Sequence, residues 1–512
     1  MQPLPVGIQT FRKIREEGFL YIDKTQKLHG LLNLGGYFFL SRPRRFGKSL
    51  LLSTIKDIFQ GNKELFEGLW IENNWDWSQS LPVLHLGFSS IDYRGLGLEA
   101  AIMMELQKQA RSFQISLESK TVKLMFEELL EQLHANFGKV VLLIDEYDKP
   151  LIDFLGPDID QALVNQQVLK SFYSVVKDAD PHLRFLLITG VSKFSKVSIF
   201  SDLNNLHDLS LDTDFSDLLG ITQEELERDF APYFEKLMRK NGLSQADMLD
   251  KVKDWYNGYS WDGLTFVYNP FSTLSLFQTG DFHNYWFETG TPTFLIDLMK
   301  EENTFRFERI KTNLSGFSAY DIDHIRLLPL LFQTGYLTIK EKGAIRYLLD
   351  YPNKEVRESM YQYILGQLMH KDPAVATNPI IDMYDAFANH DIETLMDHIK
   401  GVFARIPYDL FIANQEAYYH SLLFLTFEYL GIYANAEVHT NRGRIDAVVQ
   451  TEKDVYVMEF KLDESAQAAL GQIQERKYYE RFVGSGKLIH LLGINFSSKL
   501  KSVDDWEEVI LG

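Results

Sequence analysis

The stretch GYFFLSRPRRFGKSLLLST, residues 36–54, constrains this chain more than any other. A short apolar strand runs into a turn ending Phe46-Gly47-Lys48-Ser49, and an apolar helix starts there. That is the layout of a phosphate-binding loop. Backbone N–H groups and a helix N-terminus face the phosphates, Lys48 reaches the β/γ oxygens, and Ser49 holds Mg²⁺. The usual G-x-x-x-x-G-K-[ST] spacing puts its first glycine at position 42, which here is Arg42. A glycine there supplies φ freedom and close backbone approach, so the loop must be shaped differently. Arg42, Arg44 and Arg45 are expected to bring three guanidinium groups to the phosphates, in a form suited to bidentate oxyanion contacts. The plainer alternative is a strand–turn–helix carrying a surface arginine cluster.

A partner motif lies downstream. Val140-Val141-Leu142-Leu143-Ile144 is a continuous apolar run of the kind found in a central parallel strand, and it ends in Asp145-Glu146. An acid at the carboxyl edge of such a strand can hold the Mg²⁺ hydration shell, and a second can orient an attacking water. A third run, Phe185–Ile188, ends in Thr189-Gly190. Thr189 either senses the γ-phosphate or caps a loop. Together these motifs predict a P-loop α/β domain with Arg44, Arg45, Phe46, Gly47, Lys48, Ser49, Asp145 and Thr189 around ATP. In that site Ser49 and Asp145 would bind Mg²⁺, and Glu146 would serve as base.

At 512 residues the chain exceeds one ordinary domain. It has no cysteine, which excludes disulfides and any Cys-based zinc site. No apolar run approaches the ~20 residues of a membrane span, and the N-terminus has no signal-like apolar region, so a soluble, cytoplasmic protein is expected. The net charge of −19 argues against a broad nucleic-acid-coating surface, since phosphate neutralisation dominates such binding. Any nucleic-acid contact must be local.

The α/β pattern continues to about residue 210, after which Thr222-Gln223-Glu224-Glu225 looks like a capped helix start. The expected division is a P-loop domain over 1–220, a mostly helical middle or lid region over 221–404, and a further α/β domain over 405–512. Aromatic clusters at 255–259 and 285–287 suit core or interdomain packing better than base stacking. The terminal Asp504-Asp505-Trp506-Glu507-Glu508 looks like a solvated tail.

The second chemical signal is a β-hairpin. Gly443–Gln450 and Val455–Lys461 flank a polar turn of about four residues at 451–454. Reflection about that turn pairs Asp446 with Glu459, and directly opposed residues share a face with Cβ atoms about 5 Å apart. Lys461 joins them by the period of two. Two such carboxylates repel unless a hard divalent cation, Mg²⁺ or Mn²⁺, lies between them. Lys461 could then orient a metal-activated water or stabilise the transition state. The alternative is a Glu–Lys–Asp ion-pair ladder on an exposed hairpin. Glu416 on the preceding helix, one turn from His420, could add a carboxylate to the metal, as could Glu437. Gln472, Gln474, Arg476, Lys477 and Tyr478 on the following helix suit contacts to a phosphate backbone.

The helix–three-strand–helix–strand order with Asp446…Glu459-Phe460-Lys461 resembles the PD-(D/E)XK nuclease core. The chain as a whole resembles a family of prokaryotic proteins with an AAA-ATPase-like N-terminal domain and a PD-(D/E)XK nuclease-like C-terminal domain. The matching phrases, which cover almost the whole length, are YIDKT (21–25), RPRRFGKS (42–49), TGVSKFS (189–195), WYNGY (255–259), YPNKEVR (351–357) and the hairpin. Arg42 in place of glycine is also similar to that family's pattern. The resemblance implies an ATPase and a metal-dependent nuclease, with ATP, Mg²⁺ or Mn²⁺ as cofactors and nucleic acid as substrate. It leaves room for a homo-oligomer or a protein partner. The rival expectation is a nucleotide-dependent switch whose nuclease-like domain binds nucleic acid or protein without cutting.

Overall fold

The computed structural model describes residues 1–156, 158–194, 205–287, 294–302, 304–318, 325–369, 372–404, 422, 424–431, 435–441, 444–477, 479–500 and 502–511. The chain divides into two compact units, Met1–Glu302 with Phe307–Val356, and Asn303–Arg306 with Arg357–Gly512.

The first unit is built on a parallel sheet of β1 (Gly36–Ser41), β2 (Val83–Gly87), β3 (Val140–Asp145), β4 (Leu183–Gly190) and β5 (Leu206–Asp208). Their spatial order is β2-β3-β4-β1-β5, with every pairing parallel. All six residues of β3 are buried, as a continuous apolar run covered on both faces requires. One face of the sheet, including Phe38, Leu143, Phe185 and Leu187, packs on Leu52, Ile55 and Phe59 of the helix Lys48–Phe59. Burial of each such side chain contributes about 1.5–3 kcal/mol. Because β4 lies between β1 and β3, the loop after β1 and the ends of β3 and β4 meet at the carboxyl edge. Open α/β sheets bind ligands at that edge.

After β5 the helix Gln223–Asp229 opens with a full capping box, Thr222 and Glu225 each satisfying the other's backbone N–H. Helices Ala231–Asn241, Gln245–Tyr256 and Pro270–Thr279 then build a second core. A small antiparallel sheet follows, β6 (Ile310–Thr312), β7 (Thr338–Lys342) and β8 (Tyr347–Asp350), ordered β6-β8-β7.

The second unit contains the helices Pro373–Ala388 and Ile392–Ala404 and a five-stranded sheet. Its strands are β9 (Asn435–Asn441), β10 (Arg444–Gln450), β11 (Asp454–Leu462), β12 (Leu488–Ser497) and β13 (Ser502–Leu511), ordered β13-β12-β11-β10-β9. The helix Ala466–Arg476 packs Leu470 and Ile473 against Val448, Val455, Val457 and Leu491. The acidic terminus is not a solvated tail but the edge strand β13, paired antiparallel with β12. Its acids suit an edge, where charge discourages pairing with other chains, and several are bonded inward. Asp505 accepts from Ala466 N at 3.1 Å and Asp504 from Asn495 Nδ2 at 2.8 Å. Among the described residues, no helix is long and apolar enough to cross a membrane.

Candidate functional sites

The loop after β1 is held open by backbone geometry. Gly47 caps the helix Lys48–Phe59 at φ 91°, a left-handed conformation that favours glycine, and Arg45 adopts φ 67°. The loop borders a cavity of about 400 Å³. Arg44, Arg45, Lys48, Ser49, Glu146, Asp148 and Lys149 supply its polar lining, while Pro5, Ile8, Pro270, Phe271 and Leu274 supply an apolar part. A cleft with one charged and one apolar region matches a nucleotide, whose phosphates and base differ in the same way.

The predicted residues take different places there. The Lys48 ammonium is buried and donates to the carbonyls of Arg42 at 2.8 Å and Pro43 at 2.9 Å. Burial lowers its pKa, with Asp145, Asp148 and Glu146 opposing the shift. The Arg45 guanidinium lies 5.0 Å from the centre of the Phe271 ring. Phe46 turns into an aromatic group instead of lining the cavity, edge-on to Tyr259 at 4.8 Å and Trp261 at 5.4 Å. Trp286 Nε1 donates to Arg44 O at 3.0 Å, so the aromatic clusters of the 255–286 region brace the loop. Asp145 ends β3, and Thr189 Oγ1 donates to its Oδ1 at 2.7 Å. Thr189 is thereby tied to the acid beside it. Glu146 follows at φ 52°, an uncommon conformation for a residue other than glycine.

Arg42 does not join Arg44 and Arg45. Its guanidinium is 1% exposed, donates to Ser41 O at 2.9 Å, Ser210 O at 2.8 Å and Phe215 O at 3.3 Å, and stacks 4.0 Å over Trp261. Burial brings it down to about 9, with Asp208 and Asp262 opposing. The side chain at the first-glycine position is therefore a strut that fixes β1 to the segment after β5. Arg42→Met strands buried carbonyls, and chemical denaturation should show a loss of about 3–5 kcal/mol. A change under 1 kcal/mol would contradict the strut.

Sequence reasoning missed Asp148. It is 1% exposed and its Oδ2 accepts from Val191 N at 2.9 Å and Ser192 N at 2.5 Å. Gly190 permits this approach, since a Cβ there would meet the Tyr147 ring at 2.6 Å and Asp148 Oδ1 at 2.8 Å. The signal was a third acid in Asp145-Glu146-Tyr147-Asp148, but the pattern alone does not say which acid turns inward. Burial raises Asp148 to about 6, against the pull of the Ser192 N–H and Lys48. A raised carboxyl contributes stability that is fully present below its unfolded value near 4 and is lost as pH rises through 6, about 3 kcal/mol in all. Asn offers an oxygen for the same two N–H groups without the charge. Asp148→Asn should thus melt higher than wild type at pH 8, with the difference shrinking toward pH 4. A pH-independent difference would count against this assignment.

In the second unit the register pairs Asp446 with Glu459, and Ile445 with Phe460 beside them. Thr451 N donates to Asp454 O at 2.9 Å to close the turn. Glu459 is fully buried and accepts from Gln472 Nε2 of the helix Ala466–Arg476. The Lys461 ammonium lies 4.0 Å from Glu459 Oε1 and donates to Gln472 Oε1 at 2.8 Å. Gln472 thus bridges the acid and the lysine instead of facing solvent, while Gln474 and Arg476 of the same helix and Lys477 at its C-cap are exposed. Glu416, His420 and Tyr478 lie outside the described residues. A buried carboxylate with a second acid opposite it in register is a hard-oxygen donor set that fits Mg²⁺ or Mn²⁺.

The model of a family described as "Predicted AAA-ATPase" matches residues 5–200, and that of the "PD-(D/E)XK nuclease superfamily" matches residues 414–506. An "Uncharacterized protein in vnfD 5'region" of Azotobacter chroococcum mcd 1 is 41% identical over 518 residues, spanning 98% of this chain and 97% of that one. Among solved structures, the Aeropyrum pernix ORC1 protein in complex with DNA aligns at 9% identity and a TM-score of 0.27. That alignment covers 67% of this chain and 93% of the other, a likeness too distant to inform the site.

Proposed function

The chain belongs to the family that joins a predicted AAA-ATPase domain to a PD-(D/E)XK nuclease-superfamily domain, and on that premise we propose an ATP-binding, ATP-hydrolysing, metal-dependent nuclease. The observation that carries this reading is the register pairing of Asp446 with buried Glu459, with Lys461 two residues on and braced by Gln472. An ion-pair ladder on an exposed hairpin has no reason to bury its glutamate. Burying a carboxylate is costly unless its charge is used or compensated.

In the nuclease unit, Asp446 and Glu459 hold the divalent ion, with Glu416 as a further candidate ligand. Such an ion supplies Lewis-acid charge at a phosphodiester oxygen and makes its bound water more acidic. Lys461 offers positive charge to the scissile phosphate, and Gln472 fixes the directions of Glu459 and Lys461. In the ATPase unit, Lys48 and the N–H groups of the Phe46–Ser49 turn hold the phosphates, with Arg44 and Arg45 beside them. Ser49 and Asp145 hold Mg²⁺, Thr189 orients Asp145, and Glu146 accepts the proton of the attacking water. Nucleic acid is gripped locally, because the net charge of −19 provides no general attraction. The protein acts in the cytoplasm, with a second copy or a protein partner able to complete the assembly.

The same net charge favours one other reading, a nucleotide-dependent switch that binds without cutting. The test combines titration of a fluorescent ATP analogue with a cleavage assay on mixed single- and double-stranded DNA and RNA. Saturable nucleotide binding with cleavage that needs Mg²⁺ or Mn²⁺ and stops in chelator supports the nuclease. Nucleotide binding with no cleavage of any substrate supports the switch.

A further inference from the structure

Side chains converge on the face of the C-terminal sheet opposite Glu459. The period of two puts Asp454 and Tyr456 on the side of β11 away from Val455, Val457 and Glu459. Tyr456 is in parallel register with His490 on β12. Antiparallel register pairs Leu492 with Glu508, making His490 and Glu508 diagonal neighbours on the same face. His390 reaches the group from the turn after the helix Pro373–Ala388.

Hydrogen-bond directions fix where the ring protons sit. Tyr456 Oη donates to Phe387 O at 2.8 Å, so in its 3.2 Å contact with His390 Nδ1 the hydroxyl accepts. His390 Nδ1 therefore carries hydrogen, and in the neutral ring the lone pair is on Nε2, 3.7 Å from Glu508 Oε1. His490 Nε2 lies 3.1 Å from Asp454 Oδ1, which only accepts, so that nitrogen also carries hydrogen. Its Nδ1 lone pair then faces the same Glu508 oxygen at 2.9 Å. Two imidazole nitrogens and one carboxylate oxygen, all acceptors, thus lie within 4.8 Å of one another.

Three converging acceptors repel unless a cation lies among them. A proton on His490 Nδ1 answers one contact and leaves His390 Nε2 facing the carboxylate. A metal ion engages all three. The outer contacts follow the pattern of metal-binding histidines, whose second nitrogen donates to a carboxylate or similar acceptor and thereby fixes ring direction and tautomer. Zn²⁺ bond lengths near 2.0–2.1 Å in a tetrahedron put ligand atoms roughly 3.3 Å apart. The 2.9 and 3.7 Å separations bracket that value. The His490 ring is 1% exposed and that of His390 40%, so the site is anchored on its inner side and open to water on its outer side.

We propose that His390, His490 and Glu508 form a binding site for a zinc-like divalent cation, separate from the Asp446–Glu459 hairpin. Two nitrogens and one carboxylate oxygen suit Zn²⁺ better than Mg²⁺, which prefers oxygen throughout. The ion would tie the edge strand β13 to β12 and to the 389–391 turn.

Co²⁺ gives intense visible bands in tetrahedral sites and stands in for Zn²⁺. The test is a Co²⁺ titration of chelator-stripped, nucleotide-free full-length chain carrying Glu459→Ala, which removes the hairpin site from competition. The expected result is one equivalent of Co²⁺ with tetrahedral bands, and at least a 10-fold loss of affinity when His390→Ala or Glu508→Gln is added. His390 is exposed and Gln is isosteric with Glu, so circular dichroism should report an intact fold in both. Absence of bands at millimolar Co²⁺, or bands that survive both substitutions, would overturn the site and leave His490 as an ion-paired imidazolium.

Discussion

Glu459→Ala should remove metal-dependent cleavage while leaving ATP binding at the wild-type level. A divalent ion contributes several kcal/mol to such a transition state, so loss of a ligand corresponds to at least about a 10²-fold fall in rate. Glu459 is fully buried, and Ala leaves both a cavity and an amide without its acceptor at Gln472. Glu459→Gln keeps the volume and removes only the charge, so it separates lost chemistry from lost packing. Gln472→Leu keeps both proposed metal ligands and should cost less, about 10–100-fold, by releasing Glu459 and Lys461 from their bridge. Equal effects from all three substitutions, with unchanged melting temperatures, would argue against a graded metal site. Rate against Mg²⁺ or Mn²⁺ concentration is the measurement that distinguishes them.

Lys48→Ala is expected to act on the other unit. Its ammonium already sits at the loop, bonded to the carbonyls of Arg42 and Pro43. Exchanging those partners for phosphate oxygens turns neutral acceptors into charged ones, a gain of about 1.5–3 kcal/mol. Alanine forfeits that gain, so ATP affinity should fall about 10–100-fold, and hydrolysis with it. Equilibrium titration of an ATP analogue reads the effect directly. Unchanged affinity would mean that the phosphates do not lie at this loop. If cleavage falls in parallel with ATP binding, the nucleotide gates the nuclease; unaffected cleavage would mean that the two activities run separately.

The features legible in the sequence were those carried by local pattern. The apolar run Val140–Ile144 gave its strand because full burial removes any need for alternation. The hairpin register followed from its turn and the period of two, so the pairing of 446 with 459 needed no long-range information. Arg42 was misread because its partners, Ser210, Phe215 and Trp261, are far away in sequence, and only the fold brings their carbonyls and ring to it. The edge strand β13 escaped for a similar reason. Its charges suggest solvent, but Asp504 and Asp505 are bonded to a side chain and a backbone N–H from other elements, and Glu508 lies against His490 of β12. Asp148 and the apolar lining from Pro5, Ile8 and Phe271 belong to the same class, since cavity walls are assembled from distant segments.

The most direct test is cleavage of a mixed DNA and RNA panel in Mn²⁺ by wild-type and Glu459→Ala chains purified in parallel. The account predicts wild-type cleavage that chelator abolishes and that is at least about 10²-fold slower in Glu459→Ala. Equal cleavage by the two preparations, or none by the wild type on any substrate, would contradict a nuclease built on this hairpin.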